Sequence, residues 1–290
     1  MTIRQTLKKI GEVLKKAGVE NPETEAEIIL AHLLGKERFW LHINPNNQID
    51  KAAEEAAMNM ALRRAQGEPL AYITNVKEFW SLPFYVTPAT LIPRPETELI
   101  VETVLNLAAQ NHKKGLHLMD LGTGSGILAV ALAQELPKSW IVAIDRSFQA
   151  VKVALRNAKR HRVEKRIAFV ISDWLTALKR CSRVNSCFDF IVSNPPYIST
   201  EEAKHLQTEI RDYEPKEALF AGKKGYEALK KIITTAPNHL TKGGWLLCEI
   251  GWKQGEEIKH FAFSQGNYQN IEVIKDLAGL DRIVIAQKKG

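Results

Sequence analysis

The sequence predicts an α/β fold: a mostly parallel sheet with helices on both faces, preceded by a small N-terminal helical domain and a β-hairpin connector. Three observations carry that expectation. From position 115 onward short apolar runs alternate with helical stretches, and strands joined through helices must cross over and pair in parallel. The first of those runs ends in a glycine-rich turn that enters a helical stretch directly. The first 70 residues or so carry the apolar spacing of helices.

Residues 2–17 place Ile3, Leu7, Ile10 and Leu14 at spacings of four, three and four, gathering them on one helical face that Gly18 ends. Asn21-Pro22 is an N-cap followed by proline at the first helical position, and it leads into a second helix over 23–34 with acids in its first turn and Gly35 past its end. After the turn-rich Asn44-Pro45-Asn46-Asn47, an alanine-rich helix is expected from about 52 to 66, stopped by Gly67. Residues 1–70 therefore read as a helical domain. Pro69, Pro83, Pro88, Pro93 and Pro95 then punctuate the runs Glu78-Phe79-Trp80 and Phe84-Tyr85-Val86; prolines exclude a helix and suit edge strands, so 71–95 reads as a hairpin connector. Helical spacing resumes over 96–110, and 96–290 is the α/β domain. Its strands are expected at 116–121, 140–144, 167–171, 188–192 and 245–250, its helices at 127–136, 148–160 and 226–240, with 271–274 and 282–286 as terminal strands.

With 290 residues, 45% hydrophobic and 25% charged, the chain has a globular composition that excludes disordered and fibrous classes and leaves room for two unequal domains. The three cysteines form no CxxC pair, and the start MTIRQTLKKI has no apolar signal core, so a reduced, cytoplasmic protein is expected. The longest apolar stretch, 127–133, is far short of the roughly 20 residues that span a bilayer, so no membrane segment is expected. Lys and Arg outnumber Asp and Glu by 40 to 33, a net charge of +7, but apart from Lys159-Arg160-His161-Arg162 and Lys288-Lys289 the basic residues are scattered, and no direct nucleic-acid contact is expected. The run 159–162 stands at a helix end, where positive charge complements the dipole. The eight histidines are dispersed without Cys-rich neighbours, so no metal site is expected; a reactive thiol in Lys179-Arg180-Cys181-Ser182-Arg183 or at Cys187 has no support.

The turn Asp120-Leu121-Gly122-Thr123-Gly124-Ser125-Gly126 lets the backbone approach a ligand closely, and the helix that follows offers unpaired N–H groups. A dinucleotide fingerprint would need glycine at 127, which is Ile, and no GxxxxGK[ST] loop exists, so neither NAD nor a Walker-type nucleotide site is supported. Asp145, 25 residues after Asp120, ends the second strand, where a carboxylate can accept from two ribose hydroxyls. This spacing is similar to that of S-adenosylmethionine sites. The plainer alternative is a tight strand-to-helix turn with Asp145 capping the next helix. Ser172-Asp173-Trp174 follows the third strand: the acid can take an adenine amino group and the aromatic can flank the ring, or the pair is a helix cap and a core tryptophan.

After the fourth strand comes Ser193-Asn194-Pro195-Pro196-Tyr197. Consecutive prolines lack N–H donors and have fixed φ, so they present carbonyls rigidly. An amide or aniline-like NH2 is a poor nucleophile because its lone pair is delocalised. The Asn194 side-chain oxygen and the Pro195 carbonyl, aimed at its two hydrogens, hold such a nitrogen in line with a methyl donor, with Tyr197 packed against the planar group. The alternative is a rigid surface turn with Tyr197 buried.

The pairing of Asp120 to Gly126 with Asn194 to Tyr197 resembles class I S-adenosylmethionine-dependent (Rossmann-like) methyltransferases acting on planar nitrogen. Gly67-Glu68-Pro69-Leu70-Ala71-Tyr72-Ile73, Glu78-Phe79-Trp80 and Leu91-Ile92-Pro93-Arg94-Pro95-Glu96-Thr97-Glu98 resemble, more narrowly, the peptide chain release factor glutamine methyltransferases, the PrmC/HemK family. The likeness covers nearly the whole chain. It implies methylation of the glutamine amide in the Gly-Gly-Gln loop of release factors, with S-adenosylhomocysteine as co-product and the helical domain helping to grip the protein substrate; separately, a monomer is expected. It also implies that Gly122, Thr123, Gly124, Ser125, Gly126, Asp145, Trp174 and Asn194 contact the cofactor, that Asn194, Pro195, Pro196 and Tyr197 contact the glutamine, and that the loop of Arg94 and Glu96 lies near the reaction centre. Rival readings are a ribosomal-protein glutamine substrate, an adenine or guanine amino group of nucleic acid, which would need base flipping, and a binding module without catalysis.

Overall fold

The computed structural model describes residues 1–110, 113, 115–178 and 187–290. The chain divides into two units: Met1–Val76 with Gln207–Tyr213, and Lys77–Leu206 with Glu214–Gly290. In chain order the elements are α1 (Ile3–Lys16), α2 (Pro22–Leu34), α3 (Arg38–Ile43), α4 (Lys51–Ala65), α5 (Leu70–Thr74), β1 (Val76–Phe79), β2 (Leu82–Tyr85), α6 (Glu98–Ala109), β3 (His117–Leu121) and α7 (Ile127–Glu135). There follow β4 (Trp140–Asp145), α8 (Phe148–Arg160), β5 (Ile167–Ile171), β6 (Phe188–Ser193), α9 (Thr208–Tyr213), α10 (Lys216–Leu219), α11 (Glu227–Thr235), β7 (Leu240–Glu249), α12 (Gly255–Ser264), β8 (Tyr268–Lys275) and β9 (Asp281–Lys288).

The first unit is a helical bundle. Thr2 and Gln5 close a reciprocal capping box on α1, and Asp50 caps α4 through the Ala53 N–H at 2.7 Å. Asn21 precedes α2 but its side chain makes no capping bond. Ile3, Ile10 and Leu14 pack against Ile29, Leu30 and Leu41 in one apolar cluster. A buried Arg64 binds Glu25 at 2.5 Å and Glu209 at 2.7 Å, so the excursion Gln207–Tyr213 is held by charge within this unit. The expectation that prolines exclude helix between 68 and 95 fails at α5: Pro69 stands at its N-cap, where a missing N–H costs nothing, and no further proline intervenes before Pro83.

In the second unit, β1 and β2 form the expected hairpin. Its two-residue turn is Trp80-Ser81, with φ of 53° and 55°, conformations that favour Gly or Asn. Glu98 accepts the Trp80 backbone N–H at 2.7 Å and Glu135 its indole N–H at 2.7 Å, which offsets that strain. Among the described residues the large sheet has seven strands in the order β5-β4-β3-β6-β7-β9-β8, parallel from β5 to β7, with β9 antiparallel to both its neighbours. One core lies under α6, α7 and α8, the other under α11 and α12, so both faces are covered. The helix expected to run to 240 stops at Thr235, because Pro237 turns the chain into a 3-10 segment, and β7 starts at Leu240, five residues before the expected strand.

Cys248 is a free, buried thiol, but Cys187 is disulfide-bonded, so the expectation of reduced cysteines fails there; Cys181 and the rest of 179–183 lie outside the described residues. Among the described residues no helix is long and apolar enough to cross a membrane.

Asn157 on α8 is fully buried and pins three segments together. Its Oδ1 accepts the Tyr85 N–H at 2.7 Å, and its Nδ2 donates to the carbonyls of Tyr85 and Ser125 at 2.9 and 2.8 Å. Asn157→Ala leaves those groups unpaired and is expected to cost roughly 2–4 kcal/mol, read as a lower urea midpoint at unchanged slope.

Candidate active site

Parallel pairing sets Leu121 opposite both Ile144 and Ser193, so the turns after β3, β4 and β6 begin side by side at one edge of the sheet. A cavity of about 340 Å³ opens there. Of the residues singled out in the sequence, Gly122, Thr123, Gly124, Ser125, Asp145, Trp174, Asn194 and Pro196 line it, whereas Gly126, Pro195 and Tyr197 do not. Gly126 has φ of 83°, and a Cβ there would stand 3.0 Å from Ala154 Cβ, so its absent side chain serves the packing of α7 on α8.

Asp145 accepts the Gly124 N–H on one oxygen at 2.9 Å and the Ser147 N–H on the other at 2.8 Å. It does not cap α8; the Ser147 hydroxyl does, from the Ala150 N–H. Asp145 therefore keeps a fixed carboxylate on the cavity wall with lone pairs to spare. The Trp174 ring lies over Gly122, whose Cβ position would be 3.7 Å from it. Trp174 itself has φ of 53°, lines the cavity and also packs against the α11 core. The Asp173 carboxylate, expected to be available for an amino group, is paired with Lys231 at 2.7 Å; both residues line the cavity.

Asp120 is buried behind the glycine turn. Its Oδ2 accepts from the Thr123 hydroxyl at 2.6 Å and the Ala129 N–H at 3.2 Å, while its Oδ1 has no partner among the described residues. Burial pushes its carboxyl up to about 7 against those two hydrogen bonds, and Asp145 adds repulsion. The sequence sets Asp120 at the start of the turn, and nothing in it marks a role for this residue.

Around Asn194 the network reaches far along the chain. Its Nδ2 donates to Thr97 Oγ1 at 3.0 Å, Thr97 donates to Glu249 Oε2 at 2.6 Å, and the Tyr197 hydroxyl donates to Glu249 Oε1 at 3.1 Å. Burial raises the Glu249 carboxyl, opposed by these hydrogen bonds and by the Arg282 charge, and raises the Tyr197 hydroxyl too. Among the described residues the Pro195 carbonyl accepts no backbone N–H. The Tyr197 carbonyl is fixed by Gln254, which also holds the Gly225 carbonyl, both at 3.1 Å. Residues 89–94 form another wall, where buried Glu214 accepts from the Ile92 N–H at 3.0 Å and pairs with Arg94. Thr97 and Glu249 were not found from sequence: Thr97 stood inside a stretch already noted, but nothing marked it out, and Glu249 is one acid at the end of an apolar strand. Among the described residues no cluster of His, Cys, Asp and Glu is placed to hold a metal ion.

Residues 5–74 match the family described as PrmC N-terminal domain, and residues 96–211 match the methyltransferase small domain. The release factor glutamine methyltransferase of Buchnera aphidicola is 40% identical over 289 residues, all of both chains. That of Escherichia coli K12 is 40% identical over 268 residues, 92% of this chain and 93% of its own. Among solved structures, the human Mettl16 catalytic domain bound to an RNA hairpin superposes with a TM-score of 0.59 at 18% identity, covering 89% of this chain and 90% of that one. A Pyrococcus furiosus methyltransferase gives 0.51 at 18% identity, covering 80% and 99%. These two share the fold.

Because the folded-state pKa of Asp120 lies above the ordinary 3.8, the native protein holds more protons than the unfolded chain between about pH 4 and 7, and stability falls as pH rises through that window. The full penalty, on the order of 4 kcal/mol at most, applies above pH 7. Asp120→Asn in the ligand-free protein is therefore expected to be more stable than wild type at pH 8 and to lose that advantage toward pH 4, as measured by urea unfolding at both.

Proposed function

The chain belongs to the release factor glutamine methyltransferase family, and from that premise we propose that the cavity at the ends of β3, β4 and β6 is its active site. The protein is an S-adenosylmethionine-dependent methyltransferase that modifies the glutamine side-chain amide of peptide chain release factors. The observation that carries the site assignment is the unpartnered Asp120 oxygen, buried on the cavity wall between the glycine turn and Asp145. An anionic acceptor with no donor among the described residues calls for a cationic ligand group, and the ammonium of the cofactor's amino-acid end supplies one. The residues thus fit the cofactor. In this reading the turn Gly122, Thr123, Gly124, Ser125 cradles it, with Gly126 contributing through helix packing, Asp145 takes the ribose hydroxyls, Trp174 flanks the adenine, and Asn194 borders both cofactor and substrate.

S-adenosylmethionine supplies an electrophilic methyl group on a sulfonium sulfur and leaves as S-adenosylhomocysteine. The chain's own task is to present the amide nitrogen. Asn194 Oδ1 and the Pro195 carbonyl accept the two N–H hydrogens, which fixes the NH2 plane and aims its lone pair. Pro196 holds the preceding residue extended and so fixes the direction of that carbonyl, while the Ile198 N–H that could close a turn on it is bonded to the Leu219 carbonyl at 3.1 Å. Tyr197, tied to Glu249, supports the turn from behind. No strong base is required, since an amide nitrogen that has gained a methyl is acidic enough to release its proton to water. We extend the reading to the glutamine of a Gly-Gly-Gln loop, to a cytoplasmic monomer, and to no direct nucleic-acid contact.

Asn194→Ala is expected to lower single-turnover methylation of release factor about a hundredfold while leaving cofactor affinity within a few fold. The readout is mass spectrometry of the loop glutamine; wild-type turnover by this variant, or label entering nucleic acid or a ribosomal protein instead, overturns the assignment. Cofactor affinity should fall about tenfold per pH unit below about 7, as Asp120 takes up a proton, and level off above it. Calorimetry across pH 5.5 to 8.5 reads this directly, and Asp120→Asn should bind weakly with that dependence removed.

A further inference from the structure

Rotating an asparagine amide by a half turn exchanges an acceptor for a donor at almost no steric cost. At Asn194 the difference decides activity: the oxygen end accepts a substrate N–H, whereas the NH2 end would meet another NH2. We propose that Thr97 and Glu249 are positioning residues that hold the Asn194 amide with its oxygen toward the cavity, an inference that rests on Asn194 being part of the substrate site.

Hydrogen count decides the orientation of the amide. A threonine hydroxyl has a single hydrogen, and that of Thr97 is committed to Glu249 Oε2 at 2.6 Å. Glu249, as a carboxylate, only accepts, and its other oxygen already takes the Tyr197 hydroxyl. Thr97 therefore offers Asn194 a lone pair alone, and only the NH2 end can meet it, as it does at 3.0 Å. The direction of donation runs from Asn194 to Thr97 to Glu249, with the last link anchored by an acid that water does not reach: Thr97 is 0% and Glu249 1% exposed. The partners come from different elements, Thr97 from the turn before α6 and Glu249 from the end of β7, so the relay also fixes where the strand end lies relative to that turn. Burial raises the Glu249 carboxyl and Glu96 adds to that, while the hydrogen bonds from Thr97 and Tyr197 and the Arg282 charge act in favour of the carboxylate form.

Thr97→Val keeps the shape and removes the hydroxyl. It is expected to lower kcat for release factor methylation roughly tenfold to a hundredfold with cofactor affinity unchanged within twofold, and Thr97→Ser should restore most of the loss. Because the effect passes through Asn194, the same Thr97→Val change made in Asn194→Ala should cost less than twofold more in single turnover. Glu249→Gln, whose amide can face Thr97 with either end, provides the second variant should Thr97→Val melt early: it is expected to lose several fold in the wild-type background and nothing in Asn194→Ala. Wild-type kcat in Thr97→Val, or an equal loss in both backgrounds, overturns the relay. A full-rate Asn194→Ala would instead remove the site assignment beneath it, whereas an impaired Asn194→Ala beside an unimpaired Thr97→Val removes only the relay.

Discussion

The parallel register of three neighbouring strands is the constraint on which the rest of the site depends. With Leu121 opposite Ile144 on one side and Ser193 on the other, the next residues of β3, β4 and β6 emerge together at the sheet's carboxyl edge. The strand order changes direction at this place: β3 leads to β4 and β5 on one side, while β6 and β7 extend the sheet on the other. The crossover helices diverge to opposite faces there, and the strand ends are left uncovered. A one-residue slip would turn Asp120 toward the opposite face of the sheet and withdraw it from the glycine turn. The two apolar cores hold the register, because each strand buries both faces.

Two buried acids within the site show how the same residue class serves different ends. Glu249 has both oxygens occupied by hydroxyl donors, and the Arg282 charge acts on it. It is a saturated group whose value lies in the direction of donation it imposes. Asp120 has one oxygen that accepts two hydrogen bonds and one with no partner among the described residues. A carboxylate left in that state destabilises the fold, and in the proposed reading the cofactor's ammonium offsets that cost, so stability is exchanged for affinity.

The supporting contacts are polar and long-range. Asn157 ties the hairpin to the glycine turn through α8. Gln254 ties the carbonyl of Tyr197 to the loop at Gly225, where a Cβ would come within 2.5 Å of that same carbonyl. Glu214 ties Arg94 to the cavity wall. Each is a buried side chain meeting backbone or charge from a distant segment, so the loops of the site are held by specific partners while the apolar cores set the sheet beneath them.

Chain-local chemistry was legible from the sequence alone: the alternation of strands and helices, the glycine turn, Asp145 at a strand end, the rigid Asn194-Pro195-Pro196-Tyr197 turn and the helical start all follow from residues within a few positions of one another. Less could be read where distant segments decide the outcome. The excursion Gln207–Tyr213 joins the helical unit through Glu209 and Arg64, and Gly126 answers to Ala154 on the next helix. Thr97 and Glu249, 152 residues apart, meet only because β7 pairs with β6 beside the turn that carries Thr97. Periodicity, turn propensity and motif spacing are properties of the local backbone, so the sequence determined most of the strands and helices of the α/β unit and the two turns that border the cavity. Hydrogen-bond polarity and the burial of a charge depend on which segments the sheet brings together, so only the tertiary structure decided which end of Asn194 faces the cavity and which oxygen of Asp120 is left without a partner.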